Sequence, residues 1–329
     1  MMHKPPEWQR VADAINAAQT ILVVTHVRPD GDAMGSMLGL GNALIDMGKE
    51  VTMAVDLGTP EFFAWMPGAD KVLAELTSGS WDLMISTDAS DEERSGDVGI
   101  YGRANSQTVV NIDHHRTNTY FGDIHLVDPE AASASQIVFK LWQKMDIAWN
   151  RDIAQSLITG LVTDTLGFRT NSTTPVELEV AQHLMGYGAS LTEATYRTLG
   201  VMSSEELLLW KTVVPTIEIH GAVAEATIRR TDLEAVGLDY LDTGNIVGLL
   251  RRVDTVRVAL VMREDPGGIV KISLRSDPGY DVADVAFSLG GGGHKQASGA
   301  DFKGTVEECR ATILPLLQEV IAKGTLEIG

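Results

Sequence analysis

Short apolar, β-branched runs recur through the first half of the chain, with helical segments between them. The runs are ILVVTH at 21–26, EVTMAV at 50–55, DLMISTD at 82–88 and TVVNID at 108–113. They lack the apolar–polar alternation of a half-exposed strand and match strands buried on both faces. After the first run, AMGSMLGLGNALIDMG at 33–48 places small and apolar residues at helical spacing and stops at Gly48. This alternation predicts right-handed βαβ units, a doubly wound, mostly parallel sheet flanked by helices. A first helix is expected from Pro5 through WQRVADAINAA. Three more fall between Ser133 and Ala189, in ASQIVFKLWQKM, DIAQSLITGLVTD and PVELEVAQHLMGYG.

The second half predicts a smaller α/β domain across a cleft from the first. Strands are expected at 212–219, 222–229, 256–263 and 269–275, and a helix at 242–253. EDPGG at 264–268 reads as a turn, LGGGGHKQASG at 289–299 as a loop, and 305–322 as a closing helix. The expected division is a domain over 1–189, a connecting helix over 190–204 and a domain over 205–329. Two domains suit 329 residues at roughly 150 per domain.

Lys and Arg number 26 against 45 Asp and Glu, for a formal net charge of −19. So acidic a surface repels a long polyanion, which argues against coating DNA or RNA through many phosphate contacts. Small phosphorylated ligands stay compatible, since bound cations invert a local field. The lone cysteine, Cys309, excludes an intrachain disulfide and a cysteine-based zinc site. No run resembles a signal peptide or a membrane span, so a cytoplasmic protein is expected.

The chemistry gathers at the ends of the predicted strands. His26 and the loop carrying Asp30 and Asp32 follow the first strand, Asp88 ends the third, and Asp113-His114-His115 ends the fourth. In a doubly wound sheet these ends share one crevice, where ligands bind. Asp164, in the apolar pattern GLVTDTLGF, is positioned to reach it, and a buried acid needs a partner. Carboxylates and imidazoles together suit Mn²⁺ or Mg²⁺, and so many acids would repel one another without cations. There is no G-x-x-x-x-G-K-[ST] phosphate loop and no G-x-S-x-G nucleophile elbow. GLGNAL at 39–44 lies within a helical pattern and lacks the third glycine of a dinucleotide fingerprint. His3, His125, His183 and His220 match no partner and read as structural or surface residues.

In order along the chain, HVRPDGDA, STDASD, NIDHHRTN and GLVTDTLGF resemble the four motifs of the DHH phosphoesterase superfamily. ISLRS and GGGGHKQASG resemble its DHH-associated C-terminal domain. The length is most similar to the nanoRNase and 3′-phosphoadenosine 5′-phosphate (pAp) phosphatase subfamily. One departure is Leu166, where that pattern often has glycine. The resemblance implies two divalent ions, Mn²⁺ or else Mg²⁺. His26, Asp30 and Asp88 would hold one; Asp32, Asp88, His114 and Asp164 would hold the other, with Asp88 bridging. Such a pair lowers the pKa of a water and stabilises charge in an in-line displacement at phosphorus. Asp113 would orient the motif by hydrogen bonding, and His115 would face the scissile phosphate as stabiliser or proton donor. In the second domain Gly291, Gly292 and Gly293 would let backbone approach a phosphate beside His294, and Arg275 would clamp a terminal phosphate. Arg169 is a further substrate-binding candidate.

The implied activity is hydrolysis of short oligoribonucleotides to mononucleotides, with removal of the 3′ phosphate of pAp. Cyclic or linear dinucleotides are an alternative substrate, and a non-catalytic nucleotide-binding protein on the same fold is another reading. A family-II pyrophosphatase would carry a basic clamp where this chain has GGGGH, and a long-strand exonuclease would need further binding modules. A homodimer is compatible with the resemblance.

Overall fold

A computed structural model describes residues 4–170, 172–237 and 246–326. The chain divides into two compact units, Met1–Val201 and Met202–Gly329. The division falls inside the segment 190–204, most of which is a helix packed within the first unit rather than a free connector.

The first unit runs α1 (Trp8–Ala17), β1 (Thr20–Val24), α2 (Gly31–Asp46), β2 (Glu50–Ala54), β3 (Val72–Leu73), β4 (Trp81–Thr87), α3 (Gly96–Ala104), β5 (Ser106–Asp113) and β6 (Ile124–Val127). Four helices follow: α4 (Ala134–Lys144), α5 (Arg151–Asp164), α6 (Pro175–Gly186) and α7 (Leu191–Leu199). The sheet order is β3-β2-β1-β4-β5-β6 and every pairing is parallel. Along β1, Ile21 and Val23 enter the core shared with α2, α4 and α5. Leu22 and Val24 enter a second core with Val98 of α3. That two-sided burial explains the continuous apolar run. The strand order reverses between β1 and β4, so the loops leaving their C-terminal ends part and open a crevice.

Two helices frame that crevice through backbone contact. A Cβ on Gly35 of α2 would lie 2.7 Å from the Ser156 carbonyl oxygen and 2.8 Å from the Gly160 amide nitrogen, both on α5. Real Cβ atoms do not come so close, so hydrogen at Gly35 is what lets the helices touch. The contact sets the C-terminal end of α5, with Asp164, beside the N-terminal end of α2, with Asp32.

The second unit runs α8 (Ser204–Val213), β7 (Glu218–His220), β8 (Val223–Ile228), α9 (Arg230–Val236), α10 (Ile246–Leu250), β9 (Val258–Asp265), β10 (Ile269–Ser276), α11 (Ala283–Ser288), β11 (Gly292–His294), β12 (Ala297–Lys303) and α12 (Val306–Lys323). Its sheet order is β11-β12-β10-β9-β8-β7, with β8–β9 parallel and the other pairings antiparallel.

Two expectations fail here. The segment 212–219 is not a strand: the β-branched residues Thr212, Val213 and Val214 close α8 and the turn after it, and only Glu218–His220 is extended. Ser203 caps α8, and Leu209 and Val213, four apart, enter the core, so the helical period overrides β propensity. The glycine-rich stretch 289–299 is not an open loop but largely the β11–β12 hairpin. The helix expected at 242–253 lies partly outside the described residues; within them it spans Ile246–Leu250. Strands β3 and β6 and helices α3, α8, α9 and α11 have no counterpart in the sequence expectations. Among the described residues no helix is long and apolar enough to cross a membrane.

Gly35→Ala is expected to destabilise the protein by about 1–3 kcal/mol, because the added methyl meets backbone that cannot rotate away. Urea unfolding against wild type checks this, and equal midpoints would show that the helices can part without cost.

Candidate metal centre

The crevice collects every acid and histidine that the sequence placed at strand ends. The ligand atoms of His26, Asp30 and Asp88 lie within 4.8 Å of one another, as do those of Asp32, His114 and Asp164, and those of Asp88, His114 and His115. His26 Nε2 is 3.9 Å from Asp30 Oδ1 and 3.6 Å from Asp88 Oδ2. His114 Nε2 is 3.2 Å from Asp164, 3.5 Å from Asp88 and 4.0 Å from Asp32.

Local structure fixes these side chains one by one. Asp30 caps α2: its Oδ1 accepts from the amides of Asp32 and Ala33, each at 3.0 Å. Asp32 is fully buried against the start of α4. Its Oδ2 accepts from Ala134 N at 2.6 Å and its Oδ1 from Ser135 N at 3.0 Å, where the helix dipole favours an anion. Asp88 directly follows β4 at φ +55, a left-handed conformation that aspartate tolerates better than most residues. His26 Nδ1 is 2.9 Å from the Val27 carbonyl and His114 Nδ1 is 3.3 Å from the Ala131 carbonyl. With Nδ1–H donating to the backbone, each ring turns Nε2 to the carboxylates as a lone-pair donor, the arrangement that orients metal-binding imidazoles.

The carboxylates do not share their charge equally. Burial, reinforced by the Asp88 charge, pushes Asp32 up to about 7. Burial, with Asp32 beside it, also raises Asp164 well above the carboxylate range. Asp88 is buried too, but the neighbouring His114 and His26 outweigh burial and hold it well below that range. Burial likewise works against charge on His114, and Asp88 and Asp164 outweigh it and raise this ring well above an ordinary histidine.

The donor set fits divalent cations. Among the described residues, Asp88 Oδ1 is buried without a hydrogen-bond partner, at the centre of the cluster. An ionised oxygen in that state needs a positive charge.

Asp113 is fully buried and its Oδ1 lies 2.8 Å from His115 Nδ1. Its Oδ2 accepts from Asn118 Nδ2 at 2.5 Å, and that amide also donates to Asn111 Oδ1 at 2.8 Å. Asn111 and Asn118 bracket the NIDHHRTN motif, yet the sequence reading gave them no role. Their signal was two polar residues flanking a buried strand end, which carries no direction by itself. The amides of Ala134 and Ser135 were missed likewise, because backbone donors leave no trace in residue identity.

The remaining candidates fall in two places. Arg169 follows α5 in an exposed turn, where its Nε donates to the Leu166 carbonyl at 2.6 Å. Leu166 itself takes φ +50, a conformation that glycine adopts freely, which is the physical content of that departure. In the second unit, Arg275 stands opposite Ala297 and Ala297 opposite His294 across three neighbouring strands. Directly paired residues share a face, so Arg275 and His294 flank the small Ala297. Ser273, Gly299 and Gly292 form the next row on that face. A Cβ on Gly291 would sit 2.1 Å from the Gly299 carbonyl, and one on Gly293 2.5 Å from that of Ala297. These two glycines answer to hairpin packing, whereas Gly292 has open space beside it.

The DHH family N-terminal domain profile matches residues 20–161, and the DHHA1 domain profile matches 224–323. A Thermus thermophilus protein named bifunctional oligoribonuclease and PAP phosphatase NrnA is 34% identical over 97% of each chain. The chain belongs to the DHH family. A Bacillus subtilis protein of the same name is 29% identical, over 87% of this chain and 90% of its own length. The crystal structure of an exopolyphosphatase-related protein from Bacteroides fragilis superposes with a TM-score of 0.86 at 27% identity, covering 95% of both chains. All the acids and histidines of the crevice except Asp164 fall inside the DHH profile, and Arg275 and the glycine hairpin fall inside DHHA1.

A cation entering this cluster would have to displace protons. Asp32, Asp164 and His114 all hold theirs to higher pH than usual, so acidification opposes binding. Apparent Mn²⁺ affinity is expected to fall about tenfold or more per pH unit below about 7, one factor of ten for each proton displaced. Calorimetric titrations across that range check it, and a flat profile would mean that these groups are not ligands.

Proposed function

We propose that the chain is a divalent-metal-dependent phosphoesterase that cleaves very short oligoribonucleotides to mononucleotides and removes the 3′ phosphate of pAp. The observation that carries this reading is the buried, unpartnered Asp88 oxygen amid three histidines and three further carboxylates. The substrate class comes from the Thermus thermophilus and Bacillus subtilis relatives, whose names give both activities.

In this reading His26, Asp30 and Asp88 hold one ion, and Asp32, Asp88, His114 and Asp164 hold a second. Mn²⁺ is the favoured ion, with Mg²⁺ the other candidate; a Streptococcus agalactiae relative, 26% identical, is named a probable manganese-dependent inorganic pyrophosphatase. When bound, the ions supply Lewis acidity to a phosphoryl oxygen and acidify water at neutral pH. Asp113 fixes the His115 tautomer by taking Nδ1–H, which assigns Nε2 to the phosphoryl oxygen or to protonation of the leaving oxygen. Asn118 holds Asp113 for that task. In the second unit, Arg275 and His294 grip a phosphate across the Ala297 row, and the bare backbone at Gly292 lets it approach. A net charge of −19 suits a small substrate and disfavours a long strand.

The deciding experiment is a Mn²⁺ turnover panel of di- to pentaribonucleotides, a long RNA, pAp, cyclic di-AMP and pyrophosphate. Short ribonucleotides and pAp are expected to turn over fastest, and preference for pyrophosphate or cyclic di-AMP would overturn the assignment. Asp88→Ala is expected to abolish turnover of all of them. Arg275→Ala is expected to slow diribonucleotide cleavage roughly 10²-fold by loss of positioning, with Mn²⁺ affinity unchanged. Wild-type kinetics in that variant would remove Arg275 from the substrate grip.

A further inference from the structure

The hairpin of β7 and β8 gathers a second set of donors, on the other unit. His220, which the sequence left without a partner, faces two acids. Glu218 stands opposite Glu225 and His220 opposite Val223, so all three polar side chains share one face of the hairpin. Their ligand atoms lie within 4.8 Å of one another.

The distances have a particular form. His220 Nε2 is 3.4 Å from Glu225 Oε1 and 3.5 Å from Glu218 Oε2. Ligands bound to one tetrahedral zinc ion at about 2.0–2.1 Å stand roughly 3.3–3.4 Å apart, the edge of that tetrahedron. The hydrogen bonding is incomplete as well. Glu225 is 1% exposed, and Arg310 Nε donates to its Oε1 at 2.7 Å. Among the described residues, Glu225 Oε2 has no hydrogen-bond partner, and neither has the buried His220 Nε2. Two carboxylates set directly opposite each other also repel, and Arg310 offsets only one charge. Leaving a buried carboxylate oxygen on β8 and a ring nitrogen on the edge strand β7 unpaired is costly. One cation gives the ring nitrogen a partner and offsets the repulsion, and the unpaired oxygen of Glu225 belongs to the same carboxylate.

We propose that Glu218, His220 and Glu225 hold a divalent first-row transition ion, with zinc as the natural occupant of an imidazole and two carboxylates. The ion ties the edge strand β7 to β8. Glu218 and Arg310 also line an adjoining cavity of about 300 Å³ with Thr212, Thr216 and Arg229, which gives water room to complete the coordination. The proposal is independent of the phosphoesterase reading, whose residues all lie elsewhere in the chain.

The test counts zinc per full-length chain by equilibrium dialysis in wild type, His220→Ala and Glu218→Gln. The Glu218 side chain is 61% exposed, so its amide variant leaves the core intact. Wild type is expected to hold one zinc equivalent more than either variant, and difference counting cancels ions held elsewhere. Zinc is expected to raise the melting midpoint further in wild type than in the variants. Cobalt is expected to give a tetrahedral visible band that His220→Ala loses, with Mn²⁺-dependent turnover unchanged in Glu218→Gln. Equal zinc content in all three proteins would overturn the proposal. So would a His220 ring that titrates as a simple imidazolium partner of the two glutamates, unaffected by zinc.

Discussion

The first unit depends on a contact between two backbones. α2 and α5 meet at Gly35 and Gly160 with no side chain between them, and the crevice takes its width from that approach. A Cβ on Gly160 would fall 2.0 Å from Ser135 Oγ and 2.6 Å from Asp32 Oδ1. Packing and chemistry therefore cannot be separated at this position. The hydrogen at Gly35 lets the helices close, and the one at Gly160 leaves room for a buried carboxylate on the start of α4. Asp164 reaches the cluster because α5 ends one turn beyond this contact, at the level where α2 begins.

Around that frame the polar groups form two tiers. The inner tier is carboxylates and imidazoles gathered around an Asp88 oxygen that has no hydrogen bond among the described residues. The outer tier is satisfied from within: carbonyls of Val27 and Ala131, amides of Ala134 and Ser135, and the carboxamide of Asn118. The outer groups spend their hydrogen bonds on orientation. This division is what preorganisation for a dication requires, since the inner donors then need no rearrangement when it arrives.

Much of the first unit was legible because its signals are strong. A strand buried on both faces writes an unbroken apolar run, and a strand end in a crevice writes an acid or a histidine just after it. Strands β3 and β6 were illegible for the opposite reason. Val72–Leu73 is too short to carry a period, and β6, Ile124–Val127, carries a polar His125 that breaks its apolar run. In the second unit, Thr212 to Val214 spell β propensity while the core selects a helix, and the glycines at 290–293 spell flexibility while β12 selects a strand. The partners of His220 were invisible because they depend on hairpin register. Sequence places Glu225 five positions away from it, and pairing places Glu225 across from Glu218 on the same face.

The dispersal of the crevice residues bears on how the chain reaches its native state. His26, Asp88, His114 and Asp164 come from three strand ends and a helix end, and parallel pairing joins no two of those strands by a short turn. Such topology closes long loops before any contact rewards them, so it assembles slowly. Until β1 is seated between β2 and β4, the acids are far apart on a flexible chain and have little hold on any cation. The cluster therefore cannot template its own domain. On this topology the cluster assembles only with the sheet, so a cation held there would act on the lifetime of the finished sheet more than on the rate at which the sheet forms.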